Sequence, residues 1–209
     1  MHCSVLRAAG SDRGNAAIEF AFVAPVFFAL MLGILEVGVM TFAQFALQNS
    51  VTDAGRLIRT GQAQQISALI GEDIPVQKCA KEASSDQATF ANEQDWFKQQ
   101  ICCGVEGLMS CDNVVVTVAS PSGGFGSDFN ALLASGTAGT FDSASSNAAC
   151  SIMLVRATYI WTIWFPGLGR ILNSNLPEKF LVNVGDDGRL LSGTTTFRNE
   201  PFSSGVSGC

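Results

Sequence analysis

The chain has 209 residues, 47% apolar and only 14% charged, with a formal net charge of -6. That length suits one hydrophobic segment and one domain of ordinary size, and with no basic run to neutralise phosphates nucleic acid is excluded as a partner. The single histidine is His2, so neither a Ser-His-Asp nor a Cys-His arrangement can be assembled downstream, and neither an enzyme nor a cofactor is expected.

The first element is the apolar run from Arg13 to Met40, RGNAAIEFAFVAPVFFALMLGILEVGVM. No charge falls between Phe20 and Leu35, but Glu19 precedes that stretch and Glu36 follows it. A spanning helix needs about 20 predominantly apolar residues, so the run is long enough if Glu36 is tolerated near one end. A cleaved secretory signal would have a shorter core and would stop there. Here the pattern continues through FAQFALQNSVTDAGRLIRTG, where Phe42, Phe45, Val51, Ala54 and Ile58 recur at spacings near three and four. That predicts one apolar helix face ending at Gly61. A helix from about Asn15 to Thr60 would be roughly 70 Å long, about twice the bilayer core, so its second half should project from the membrane.

An ordinary single-pass anchor explains the length but not Glu19. A carboxylate at the bilayer centre costs roughly 2.5–3.5 kcal/mol on insertion scales. Cutting after Gly14 makes Asn15 the new N-terminus and Glu19 its fifth residue. Gly14 to Glu19 then has the form of a prepilin peptidase site, with a polar leader, a glycine that leaves the scissile bond unhindered, and a glutamate inside the apolar start. In an assembling filament that carboxylate can neutralise the terminal amine of a neighbouring subunit, and a paired charge escapes most of the desolvation cost. For Glu36 the expectation is a place near the outer interface or facing a partner helix.

GNAAIEFAFVAPVFFALMLGILEVG followed by FALQNSVTDAGRLIRTGQA resembles the TadE-like family of the tight-adherence (Flp) pilus system. The resemblance rests on the G-x-A-x-x-E-F start, on Pro25, on Glu36 with Gly38, and on Ala54, Arg56 and Arg59 in the helical continuation. A second patch near the end, TTTFRNEPF, is similar to the Arg-x-Glu-Pro-aromatic ending of these proteins through Arg198, Asn199, Glu200, Pro201 and Phe202. The resemblance implies a precursor in the bacterial inner membrane, trimmed by a prepilin peptidase. The mature chain would then be a minor pseudopilin or assembly protein of an adhesive pilus, with its C-terminal domain in the periplasm. Its implied partners are other pilins and pseudopilins and the inner-membrane pilus assembly proteins. The alternative is a single-pass, membrane-anchored periplasmic binding or scaffold domain of another envelope complex. Arg198, Glu200 and Pro201 are expected to be structural, with Glu200 pairing with Arg198 or capping a chain end.

After the long helix, QISALIGEDIPVQKCAKEAS reads as a loop with one helical turn. Phe90, Phe97 and Ile101, with Trp96 beside them, predict a short amphipathic helix capped by Asp86 and ending at Cys102. DNVVVTVASPSG predicts a strand with Val114, Val116 and Val118 on one face, and residues 120–149, rich in Gly, Ser, Ala and Thr, read as a long flexible loop. CSIMLVRATYIWTIWFPG alternates into a half-buried strand, with Met153, Val155, Ala157, Tyr159, Trp161, Ile163 and Phe165 on one face and Arg156, Thr158 and Thr162 on the other. RLLSGTTTFRN follows the Gly185–Gly188 turn as a further strand. The expected fold is α+β: a long N-terminal transmembrane helix running into a small pilin-like domain with an antiparallel sheet of about three to four strands. The expected organisation is a leader at 1–14, the long helix at 15–60 and a cysteine-rich periplasmic domain at 61–209.

Of the seven cysteines only Cys3 precedes the apolar run. Cys79, Cys102, Cys103, Cys111, Cys150 and Cys209 follow it, an even number suited to disulfides in an oxidising compartment, with the pairing open. The adjacent Cys102 and Cys103 are expected to bond to different partners. A zinc site is disfavoured because Cys102, Cys103 and Cys111 lack the usual ligand spacing, and no metal is expected.

Overall fold

A computed structural model describes residues 12–67, 69–71, 74–75, 87–88, 90–120, 150–165 and 188–200. Helix α1 runs Asp12–Arg59, carries Pro25 inside it and ends with the basic residues Arg56 and Arg59. Helix α2 is Gln62–Ser67, and the two-residue strands β1 (Ile74–Pro75) and β2 (Gln87–Ala88) pair antiparallel. Helix α3 (Glu93–Cys103) and a short 3-10 turn at Cys111–Asn113 lead into β3 (Val115–Ala119), β4 (Ile152–Thr162) and β5 (Gly188–Arg198). These last three form one antiparallel sheet in the order β3-β4-β5. The fold is therefore α+β, a long apolar helix followed by a small three-stranded antiparallel sheet. The expected leader cleavage region up to residue 11, the loop at 121–149, the Asp86 cap, the turn at 185–187 and Pro201 lie outside the described residues.

The two halves of α1 have different surroundings because their residues differ. From Ile18 to Val39 its large apolar side chains, the half-buried Val37 apart, are exposed. A helix with apolar residues all round suits a bilayer, and this one is long and apolar enough to cross one. Beyond Met40 an apolar stripe at spacings of three and four, Ala43, Leu47, Val51, Ala54 and Ile58, is buried against the domain. This corrects the face read from sequence. Phe42 and Phe45 are 62% and 64% exposed, because at about 100° per residue they fall on the far side from Leu47 and Val51.

Two glutamines fix the docking of α1 onto the sheet. The Gln44 side chain donates from Nε2 to the Ser192 carbonyl (2.7 Å) and accepts the Ser192 N–H (3.2 Å). One turn on, Gln48 does the same with Thr194, at 2.9 and 3.0 Å. β5 is an edge strand, so alternate residues turn their N–H and C=O outward. The two amide side chains satisfy those groups as a neighbouring strand would, which protects the edge. Between them Gly193 lies directly under the helix, where an added Cβ would stand 2.9 Å from the Leu47 carbonyl oxygen and 3.1 Å from the Gln48 Cα. Further along, a Cβ on Gly55 would meet Thr195 Cγ2 at 2.8 Å.

The core lies between this half of α1, helix α3 and the sheet, with Phe97, Ile101, Val105, Val116, Val118, Met153 and Val155 at its centre. Asn92, not Asp86, caps α3, its Oδ1 accepting the Asp95 N–H at 2.8 Å. β4 departs from the half-buried strand expected of it. Met153 to Thr158 are buried on both faces, Leu154 and Arg156 included. Burial lowers the Arg156 pKa from its ordinary value by desolvating the charged form.

Gly193→Ala is expected to destabilise the detergent-solubilised chain by about 1–3 kcal/mol in denaturant unfolding, as overpacking does. Gly38→Ala, whose Cβ meets nothing within 4 Å, should leave stability unchanged or raise it. Equal stability of the two variants would contradict the close approach of α1 to β5.

Candidate functional site

Three places along α1 join chemistry to the rest of the chain. Near its start, the Gly14–Asn15 bond lies within the helix, two residues after its first residue Asp12. Glu19 is on the exposed helix surface one turn later. The structure therefore keeps the expected cleavage position and the expected carboxylate on one rod, about a turn apart. The peptide bond there is helical and would have to open to be cut.

Glu36 is the second place. It is half-buried, and its carboxylate accepts two successive backbone N–H groups beyond the end of β4. Trp164 donates to Oε1, and Phe165 donates to Oε2 at 3.0 Å. A carboxylate bridging two adjacent amides is a charge-assisted pair of bonds, and it pins the end of the central strand to the helix where the apolar half finishes. Leu32, Leu35, Glu36 and Val39 on α1 and Trp161, Trp164 and Phe165 on the strand end line a pocket of about 390 Å³. Sequence periodicity placed Trp161 and Phe165 on one strand face but offered no sign of the Glu36 contact, which spans 128 residues of chain.

The third place is the far end of the sheet, where the C-terminal pattern falls. Glu200 does not pair with Arg198. It forms an ion pair with Arg59 in the last turn of α1, at 3.2 Å, both side chains more than half exposed. Arg198 instead donates from Nε to the Cys150 carbonyl at 3.2 Å. Between them Asn199 is buried, donates its backbone N–H to Ser151 O at 2.9 Å, and reaches the Ser151 hydroxyl from Nδ2 at 3.4 Å. The pattern thus ties the end of β5 to the start of β4 and to the end of α1. Exposed ion pairs contribute only about 0.2–1 kcal/mol, so the buried Asn199 is the stronger tie. Asn199 belongs to the C-terminal pattern seen in the sequence, but nothing in its spacing marked it as the buried member.

Cys103 and Cys150 are each part of a disulfide. Cys102 and Cys111, also expected among the paired cysteines, are free thiols, with a hydrogen bond between their side chains. Cys102 faces the core from α3 while the adjacent Cys103 turns away from it. Burial, first, and then the Cys111 side chain push the Cys102 thiol pKa far above its ordinary value. Cys79 and Cys209 lie outside the described residues. Among the described residues no three His, Cys, Asp or Glu side chains converge as a metal site would require.

Native alkylation at neutral pH should label the half-buried Cys111 first and Cys102 only on unfolding, because the thiolate is the reactive form. If neither labels after denaturation without reductant, the two are joined and the free-thiol assignment is wrong.

The model of one family, TadE-like protein, matches residues 14–56. No curated protein and no solved structure matches the chain. The matched segment begins at Gly14 and takes in Glu19, Pro25, Glu36, Gln44, Gln48 and Gly55, so it covers both the apolar half of α1 and most of the half that docks on β5. By that match, residues 14–56 are similar to the TadE-like family.

Proposed function

We propose that this protein is a minor pseudopilin or pilus assembly protein of a tight-adherence pilus. It is inserted in the bacterial inner membrane by α1, trimmed after Gly14 by a prepilin peptidase, and displays its C-terminal domain in the periplasm. The observation that carries the reading is the family match, which starts at Gly14 and follows the helix to the domain. The exposed Glu19 near one end and the firmly docked domain at the other support it. A subunit of that form offers a lateral contact inside the membrane and a fixed head outside it. The new α-amino group of Asn15 in one subunit pairs with Glu19 of its neighbour, which removes most of the cost of a carboxylate in lipid. The remaining partners are other pilins and the inner-membrane assembly proteins.

The N-terminal residue of the protein recovered from membranes tests processing. Asn15 is the expected start, and a chain still beginning at Met1 would favour an ordinary anchored periplasmic domain. Glu19→Ala should still be trimmed yet fail to enter or support the pilus, with piliation scored by microscopy. Normal piliation in that variant would contradict the charge pairing.

A further inference from the structure

The end of β4 stands at a particular depth. Ala16 to Leu35 is 20 residues, about 30 Å of helix, which matches the hydrocarbon thickness of a bilayer. Glu36 is the next residue, and it holds Trp164 and Phe165. Trp164 is 88% exposed, the most exposed large apolar side chain in the described residues. One wall of the pocket beneath it is α1 on both sides of that boundary, Leu32 and Leu35 within the span and Val39 one turn beyond. Whatever covers those residues also meets Trp164. Across the β4–β5 ladder, Arg189 is the register partner of Trp161, so a cation belongs to the same end of the sheet.

We infer that the segment Trp161 to Phe165 docks into the boundary between headgroups and acyl chains of the leaflet from which α1 emerges. A phospholipid acyl chain fills the pocket between the strand end and the helix. Tryptophan favours that boundary, with an apolar ring and a polar N–H. The backbone N–H groups of Trp164 and Phe165 enter it already satisfied by Glu36, so the segment does not carry orphan donors into a region poor in water. Glu36 is then the residue that sets how the domain stands on the membrane. This inference rests on the reading of α1 as a membrane span and adds a second, peripheral contact made by the folded domain.

The test uses the full chain in vesicles of phosphatidylethanolamine and phosphatidylglycerol. The chain has 3 tryptophans, so Trp96→Phe with Trp161→Phe leaves Trp164 as the only indole. Lipids brominated high on the acyl chain should quench most of its emission, and lipids brominated at the chain end should quench less. Adding Glu36→Ala should abolish most of that quenching, with Glu36→Gln, which keeps one acceptor oxygen, in between. A control chain keeping only the buried Trp96 should not respond. Trp164 quenched no more than Trp96 would overturn the docking. If the chain then still resists alkaline extraction, the span stands and only the docking falls; if it is extracted, both fall. Quenching of Trp164 by a spin label on a second copy, and not by bromolipid, would assign the surface to a subunit contact and overturn the lipid assignment.

Discussion

The pairing of Gln44 and Gln48 with the outer edge of β5 is the constraint from which the rest of the architecture follows. Two residues one turn apart on a helix are separated by about 6 Å along the axis, and alternate residues on a strand by about 6.8 Å. The match is close enough for two amide side chains to serve Ser192 and Thr194 in turn. Each such bond contributes about 0.5–1.5 kcal/mol net, but the geometric consequence is larger. The strand runs along the helix, so the axial position and rotation of α1 are set together. That register places Gly193 under Leu47 and Gly55 beside Thr195, and turns Ala43, Leu47 and Val51 into the core. It also carries Glu36 to the lower end of the sheet and Arg59 to the upper end, where each finds its partner.

Elements with a period were legible in the sequence. The long helix, the valine alternation of β3, the apolar face of α3 and the strand β4 announced themselves through spacing, β5 followed from the Gly-Asp-Asp-Gly stretch before it, and together they implied α+β. What failed was the choice of face where two stripes competed. Phe42 and Phe45 are larger than Ala43 and attract attention, yet the helix buries the small residue, because β5 passes close to Leu47, Gln48 and Val51 and fixes which face of the helix turns inward. Size and burial separate when a strand backbone lies against a helix. The long-range polar contacts had no local signature at all. Glu36, Glu200 and the two glutamines act on partners more than a hundred residues away, and periodicity does not encode such pairs. Gly14 and Glu19 carry a signal of a different kind, a pattern contained within six residues of sequence.

The ties along α1 make the domain a continuation of the long apolar helix and not a bead on a linker. Glu36 fastens the lower end of β4, the glutamines fasten the middle of β5, and the Arg59–Glu200 pair meets the top, where Asn199 ties β5 to β4. On the proposed function, a subunit pulled or packed through its apolar half would move the whole sheet with it. The core supports this, since α1 supplies one wall of the same cluster that contains Phe97, Val116 and Met153. No hinge separates the half of α1 that suits lipid from the half that is buried, because Gly33 and Gly38 lie within one continuous helix.

Hydrogen exchange at the Ser192 and Thr194 amides, in the full chain in micelles, tests the central claim most directly. The account predicts protection comparable to the β4–β5 ladder amides, lost at both positions in the Gln44→Ala, Gln48→Ala double variant while the ladder itself stays protected. Fast exchange of both amides in the unmodified chain would mean that the edge of β5 is open and that the helix is not fastened to it.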